Sequence, residues 1–375
     1  MNNLTIGFIG FGLIGGSIAK AIKEKYPTYH LVAYDYEYSG HTNTNLKIKG
    51  IYTAVHDKVL DDVYTDLQAL KECDIIFLCA PVLSNINYLE QLKGILKPSC
   101  ILTDVGSVKE SIHKTASVHQ LDHQFIGGHP MAGSEKTGYE HSHSRLLENA
   151  YYILTPSSHT SEEDLNCLSC LIKEIGAIPI VLDFKEHDDI TAAISHIPHI
   201  IAASLVNLVK DSDDDEAKMR SLAAGGFKDI TRIASASPSM WQNICLTNAD
   251  SINKFLESYI TSLEDIKKAV QIQDKDYLYQ LFSSAKEYRS SIPNHMAGAL
   301  MKKIYELYID LIDEAGAIAT LATLLATNGI SLKNIGIIHN REFEEGVLRI
   351  EFYDDTSKGN AITLLNRYNY TIYDR

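Results

Sequence analysis

Short apolar runs alternate with stretches of helical spacing through the first half of the chain. Runs at 5–9, 31–34, 74–79, 100–103, 124–126, 151–154 and 178–182 are rich in Ile, Leu, Val and Phe. Between them apolar residues recur every three or four positions, as at Leu13, Ile14, Ile18, Ala21 and Ile22. This alternation predicts an α/β fold: a doubly wound, Rossmann-type parallel sheet with helices on both faces. From about Lys185 the texture changes. The segments 190–209, 250–272 and 277–288 carry helical spacing and few strand signals, which predicts an all-helical domain. The acidic run Asp211 to Glu216 reads as a solvated connection, and Ser290-Ser-Ile-Pro-Asn294 as a linker. Beyond it, Tyr305, Leu307, Ile309 and Leu311 alternate as a strand. Gly316 then precedes a helix bearing Ile318, Leu321, Leu324 and Leu325, closed by Asn328-Gly329. A hairpin of 335–339 with 347–353, a helix at 359–367 and a strand at 370–373 complete a βαββαβ unit. The expected domains are 1–184, 185–294 and 300–375.

The first strand runs into Gly10-Phe-Gly12-Leu13-Ile14-Gly15, and a helix follows. Gly10 permits a tight strand-to-helix turn, Gly12 lets backbone approach a pyrophosphate, and Gly15 lets helix and strand pack closely. The helix N-terminus, with its positive dipole end, then faces the phosphates. Asp35 ends the next apolar run, where a carboxylate would meet a ribose 2′-hydroxyl. Such a carboxylate repels a 2′-phosphate, so NAD is favoured over NADP.

Composition narrows the class. With 375 residues the chain exceeds one typical domain, and 45% apolar content is ordinary for a globular protein. The net charge of −14 disfavours a nucleic-acid binder, which needs clustered positive charge. An anionic substrate would therefore need locally placed Arg, Lys or His. The six cysteines are scattered, mostly in apolar runs, as expected of reduced, buried thiols. Cys167-Leu-Ser-Cys170 lacks a second ligand pair, and the pairs His119/His123 and His141/His143 lack completing ligands, so no metal is expected. No basic leader and no unbroken apolar run of membrane-spanning length is present, so a cytoplasmic protein without a membrane partner is expected.

Three polar clusters interrupt the apolar pattern. In Asp104-Val-Gly-Ser107-Val-Lys109, Ser107 with Glu110 fits a capping box, and a hydroxyl there would also suit a ligand or a catalytic histidine. The second cluster, Gly127-Gly128-His129-Pro130-Met131-Ala132-Gly133-Ser134-Glu135-Lys136, directly follows a strand. Its glycines allow close approach of a ligand, and His129 suits proton transfer near neutrality; a structural turn histidine is the plainer alternative. The third joins Ser195-His196-Ile-Pro-His199 to Gly225-Gly226-Phe-Lys-Asp229-Ile-Thr-Arg232, with Trp241 beyond. Arg232 either pairs with Asp229 on a helix face or follows a Gly-Gly turn to grip a carboxylate, and Trp241 reads as plain core.

Together these clusters resemble the prephenate dehydrogenase family. The matching pieces are GFGLIGGS at 10–17, DVGSVK at 104–109, GGHPMAGSEKTG at 127–138, SHIPH at 195–199 and GGFKDITRIA at 225–234 with Trp241. The resemblance implies NAD-dependent oxidative decarboxylation of prephenate in tyrosine biosynthesis. It implies His129 as the catalytic histidine on the ring hydroxyl, with Ser107 orienting histidine and hydroxyl. Arg232 would hold a substrate carboxylate, His199 and His196 would line the pocket, Ser134 would replace the usual Thr, and Glu135 would gate the pocket. Gly10, Gly12, Leu13, Ile14, Gly15 and Asp35 would bind the cofactor. The helical domain implies a homodimer. The βαββαβ unit is similar to an ACT domain, implying tyrosine inhibition with Asp313, Gly316, Ala317, Gly329, Ile330 and Ser331 near the effector. Arogenate dehydrogenase and a non-catalytic NAD and amino-acid sensor remain alternatives.

Overall fold

Every apolar run of the first half becomes a strand. The structure is a computed structural model that describes residues 3–36, 46–133, 136–214, 216–292, 305–311, 314–338 and 347–373. The chain divides into two compact units, Met1–Ile292 and Pro293–Arg375. In the first, eight strands lie in the order β3-β2-β1-β4-β5-β6-β7-β8. They are β1 (Thr5–Ile9), β2 (His30–Tyr34), β3 (Asp62–Tyr64), β4 (Ile75–Leu78), β5 (Ile101–Asp104), β6 (Phe125–Pro130), β7 (Tyr151–Pro156) and β8 (Ile178–Val181). Helices α1 (Leu13–Lys25), α2 (Leu46–His56), α3 (Val82–Leu92), α4 (Glu110–Val118) and α5 (Glu162–Glu174) connect them.

Both faces of the sheet are buried, so successive residues of one strand serve different cores. Ile75 and Phe77 of β4 join one cluster with Phe8, Ile18 and Ile22. Ile76 and Leu78 join another with Ile9, Leu89 and Ile112. Continuous burial is why these strands read as unbroken apolar runs rather than alternating ones.

The sheet departs from expectation in three ways. The sheet is not wholly parallel, because β7 runs antiparallel to β6. The described residues between them form only 3₁₀ turns at Tyr139–His141 and Ser144–Leu147, without the crossover helix that a parallel return normally uses. Strand β3 was not anticipated: it is a short edge strand whose exposed Asp62 breaks the apolar signal. Finally, β6 continues through Gly127-Gly128-His129-Pro130, so His129 stands inside a strand, opposite Ile153 of β7.

Helix α6 (Phe184–Thr191) passes through a π turn, Ala192–His196, into α7 (Ile197–Ser212). Pro198 offers no N–H to the carbonyl one turn back, and the wide turn falls where that bond is missing. The stretch Phe184–Ser212 is long and apolar enough, by length and composition, to cross a membrane, a pattern that unbroken runs do not reveal. Its polar residues His187, Asp188 and His196 are nevertheless buried within the unit. Helices α8 (Lys218–Leu222), α9 (Gly225–Thr231), α10 (Pro238–Thr247), α11 (Ala249–Ile272) and α12 (Lys275–Ser291) follow. Gly225 and Gly226 thus open a helix instead of making a turn. Cys167 and Cys170 are exposed, against the expectation of burial.

The second unit has strands β9 (Tyr305–Asp310), β10 (Leu332–Ile338), β11 (Val347–Phe352) and β12 (Ile372–Tyr373) in the antiparallel order β10-β11-β9-β12. Helices α13 (Ala317–Thr327) and α14 (Asp355–Arg367) complete βαββαβ. Leu307, Ile309, Leu321, Leu325, Ile350 and Leu365 form its core. Arg349 and Glu306 form an ion pair at 2.6 Å between adjacent strands.

Candidate active site

The glycine turn after β1 has the geometry a dinucleotide needs. Gly10 sits at φ +87°, and a Cβ there would lie 2.7 Å from the backbone N of Ala80. A Cβ on Gly15 would lie 2.9 Å from the Gly10 carbonyl and 3.1 Å from Cys79 Cβ, so α1 presses directly on the sheet. Around Gly12, by contrast, no described residue beyond its chain neighbours comes within 4 Å of a built Cβ. Gly12 is the N-cap of α1 and brings no side chain to its amides, leaving room for an anion at the dipole's positive end. Leu13 and Ile14 open the helix. Asp35 follows β2, anchored by its N–H to the Tyr64 carbonyl at 2.9 Å.

A buried charged network supports the strand that bears His129. The Lys109 ammonium pairs with the Asp104 carboxylate and donates to the Gly128 carbonyl at 2.7 Å. Asp104 also accepts the backbone N–H groups of Gly106 (2.8 Å) and Gly128 (3.0 Å). Neither Lys109 nor Asp104 has exposed surface. The glycines before His129 therefore serve packing rather than ligand approach. A Cβ on Gly127 would meet Thr155 Oγ1 at 2.2 Å, and one on Gly128 the Asp104 carbonyl at 2.4 Å.

The anticipated capping box does not form. The amides of Lys109 and Glu110 instead donate to the two carboxylate oxygens of Asp188, each at 2.8 Å. Ser107 is thereby spared from capping and lies, partly buried, in the turn between β5 and α4.

His129 Nδ1 lies 2.8 Å from His187 Nε2, and His187 Nδ1 lies 2.8 Å from Asp188 Oδ1. Sequence reading missed both residues. They stand in an amphipathic stretch, Lys185-Glu-His-Asp-Asp189, that looks like a solvated helix start. Burial holds the His129 imidazole well below the usual histidine range, reinforced by His187, Lys109 and His196. Burial also lowers His187, with Asp188 pulling the other way.

The helical segment brings the third cluster to the same place. His196 is buried, and Asn248 donates through Nδ2 to its Nδ1 at 3.2 Å. That bond leaves the neutral ring its proton on Nε2. Burial pushes His196 down to about 4. His199 donates through Nδ1 to the Ser195 carbonyl at 3.0 Å and stacks on Trp241, with ring centroids 3.7 Å apart. The exposed Arg232 is near enough to lower the His199 pKa, behind the effect of burial. Trp241 also meets the His196 edge at 6.0 Å, and its buried Nε1–H has no partner among the described residues. His196 and His199 thus both meet Trp241, while charge effects tie His196 to His129 and Arg232 to His199. Ser134 and Glu135 lie outside the described residues, as does Asp313 in the second unit. There, Gly316 (φ +93°) caps the start of α13 before Ala317, Gly329 takes φ +71°, Ile330 is buried and Ser331 exposed.

Comparison with known proteins gives a consistent result. Residues 18–181 match the prephenate dehydrogenase nucleotide-binding domain, and residues 183–284 the prephenate dehydrogenase dimerization domain. A prephenate dehydrogenase of Bacillus subtilis is 38% identical over 361 residues, covering 95% of this chain and 94% of its own. The crystal structure of an Aquifex aeolicus prephenate dehydrogenase in complex with hydroxyphenyl propionate and NAD+ matches with a TM-score of 0.71 and 28% identity. That match covers 78% of this chain and 99% of the other. A Synechocystis arogenate dehydrogenase matches with a TM-score of 0.66 and 31% identity, over 76% of this chain and 99% of its own. The family matches together span residues 18–284 and the Bacillus subtilis relative aligns over nearly the whole chain, so the chain belongs to the prephenate dehydrogenase family and is an NAD-dependent dehydrogenase.

Proposed function

We propose that the protein oxidatively decarboxylates prephenate to 4-hydroxyphenylpyruvate, the step that commits the carbon skeleton to tyrosine. The observation that carries this reading is the cluster around Trp241, where His196 and His199 meet the indole, His196 acts on the His129 ring and Arg232 on the His199 ring. It offers one neutral proton acceptor at one end and one fixed cation at the other. A substrate with a ring hydroxyl and a carboxylate calls for those two functions.

Gly10, Gly12, Leu13, Ile14 and Gly15 would hold the pyrophosphate on backbone N–H groups, and Asp35 the ribose hydroxyl. Bound NAD supplies the hydride acceptor. His129 takes the hydroxyl proton, for which its lowered pKa keeps it neutral and ready at physiological pH. Ser107 orients the hydroxyl toward that ring. Arg232 grips a carboxylate through its guanidinium fork, while His196 and His199 line the pocket walls. By resemblance, Ser134 contributes a hydroxyl and Glu135 gates the entrance. Loss of carbon dioxide restores the aromatic ring and drives the reaction forward.

The helical domain would pair two copies of the chain. Its outer positions Leu208, Leu222, Ile230, Ile260 and Phe282 are exposed, and a symmetric partner would cover them. The protein would then work as a cytoplasmic homodimer. The βαββαβ unit would act as an ACT-like sensor of tyrosine, through Asp313, Gly316, Ala317, Gly329, Ile330 and Ser331.

The deciding experiment compares kcat/KM for prephenate and arogenate, each with NAD and NADP. Preference for prephenate with NAD is expected. A reversed substrate preference would make the enzyme an arogenate dehydrogenase, as the Synechocystis relative is named. Failure to reduce NAD with either would end the reading.

A further inference from the structure

We propose that His187 and Asp188 are positioning residues that fix His129 as its Nδ1–H tautomer, making Nε2 the atom that accepts the substrate proton. The inference rests on the proposed role of His129 and adds which of its two nitrogens does the work, and why.

Asp188 anchors the arrangement. Three donors converge on its carboxylate: the amides of Lys109 and Glu110, and the His187 ring at Nδ1, each at 2.8 Å. Both oxygens are taken by N–H groups, so the carboxylate acts as acceptor only and His187 must present a proton on Nδ1. A neutral His187 then has a bare lone pair on Nε2. The atom facing that lone pair, at 2.8 Å, is His129 Nδ1. One proton fits between them, and it belongs to His129. The second nitrogen of His129, Nε2, is left as the base.

Burial makes the arrangement strict. His187 has no exposed surface and Asp188 almost none, so water cannot substitute for either partner. The two imidazoles stand at 71° with centroids 5.1 Å apart, which suits an in-plane hydrogen bond between rings rather than stacking. The groups around the pair are Lys109 and His196 near His129, and Asp188, Asp104 and Lys109 near His187. Positive charge is therefore disfavoured on His129, beside Lys109, and better tolerated on His187, beside Asp188.

This asymmetry gives the pair a second use. When Nε2 of His129 gains a proton, the His129 Nδ1–H bond can break as a His187 Nε2–H bond forms. One proton moves, no electrons are transferred, and the charge ends on the ring that touches a carboxylate. The pair also joins the two halves of the first unit. The backbone carbonyl of Asp188 accepts Asn248 Nδ2 at 2.9 Å, and the same amide group reaches His196. One short segment thereby aligns the base on β6, the turn that carries Ser107 and the pocket wall on the helices.

The test uses full-length protein labelled with ¹⁵N-histidine, in the wild type and in His187→Leu and His187→Gln. Neither variant removes the Asp188 carboxylate that caps α4. Ring ¹⁵N spectra, assigned by comparison with His129→Asn, should show His129 as the Nδ1–H tautomer in the wild type. His187→Leu, which offers no acceptor, should mix the tautomers and lower kcat by roughly 10-fold to 100-fold, the usual cost of losing an outer partner. Its KM for NAD should stay unchanged. His187→Gln, whose amide oxygen can accept the same proton, should restore the tautomer and most of kcat. An Nε2–H tautomer in the wild type overturns the proposal even if the variants fail to fold. So does a His187→Leu enzyme with undiminished kcat and an unmixed His129 ring. Absence of turnover with an intact Nδ1–H signal would strike the proposed reaction instead.

Discussion

Lys109 and Asp104 form an ion pair from which solvent is wholly excluded, beside Gly128 in the strand that carries His129. Burying two charges is costly, and each is tolerated only because the other and the nearby backbone groups satisfy it. Lys109→Met would strand the carboxylate. The expected loss of folding stability is about 3–5 kcal/mol, measured by urea unfolding. Adding Asp104→Asn should recover part of it, because the lone buried charge disappears. An additive, doubly worse double variant would show that the pair is not coupled.

The two ends of the glycine turn separate folding from binding. At Gly10 a side chain needs φ +87° and meets backbone at 2.7 Å, so Gly10→Ala should cost upwards of about 2 kcal/mol of stability. At Gly12 the space is open and φ is −102°, so Gly12→Ala should fold within about 0.5 kcal/mol of the wild type. The same methyl would occupy the approach to the α1 amides, and NAD affinity should fall at least about tenfold. Calorimetric titration with NAD distinguishes the two effects. Equal losses of stability in both variants would contradict it.

What the sequence showed and what it hid follow from how far apart the interacting residues lie. Strands buried on both faces announce themselves as apolar runs, and Gly10, Gly12 and Gly15 act within one local turn. The reading of Ser107 as a cap failed because the true cap, Asp188, arrives from a helix, 79 residues beyond Lys109. His187 and Asp188 were invisible for the same reason, since nothing local distinguishes a buried His-Asp from a solvated one. The antiparallel β7 was missed because direction depends on the absence of a crossover helix, and composition does not record absence. His129 was recognised as chemistry-bearing but misplaced into a loop, since Gly-Gly-His-Pro is poor strand former in isolation. Its glycines are there for Thr155 and Asp104, which no pattern reveals.

Buried neutral histidines should make the fold acid-labile. Burial pushes His113 and His196 down to about 4 from an ordinary value of 6.5. Between these values the unfolded chain binds protons that the folded chain refuses, so stability rises with pH across the window. It is full above about pH 6.5 and declines as pH falls toward 4, at about 1.4 kcal/mol per pH unit per histidine at most. Chemical denaturation at pH 7, 6 and 5 should show the decline, and His113→Gln should soften it. A flat profile would mean that these rings are protonated in the native state.

The C-terminal unit has its own core, built from Leu307, Ile309, Leu321, Ile350 and Leu365. A chain ending at residue 292 should therefore still fold and turn over substrate. If the βαββαβ unit senses tyrosine, the shortened enzyme should lose tyrosine inhibition while kcat changes little, because an effector acts only through the state it binds better. Steady-state kinetics with and without tyrosine would decide. Inhibition persisting in the shortened enzyme would place the effector site in the first unit.

The two ends of the proposed site should fail in different ways. His129→Asn removes the proton acceptor but leaves the glycine turn intact, so NAD binding should persist while kcat falls by roughly 10²-fold to 10⁴-fold. Arg232→Ala removes a carboxylate grip made in ground and transition states alike, so its main effect should be a raised KM for prephenate. The wild-type pH profile links the two. Burial and the cationic surroundings of His129 keep the ring neutral below the usual histidine range, so the acid limb of kcat/KM should lie below pH 6.5. An acid limb above that value, or a His129→Asn enzyme with full turnover, would assign the proton to another group. An Arg232→Ala enzyme with unaltered KM would leave the substrate carboxylate to be held elsewhere, and the histidines at 196 and 199 would be the next to replace.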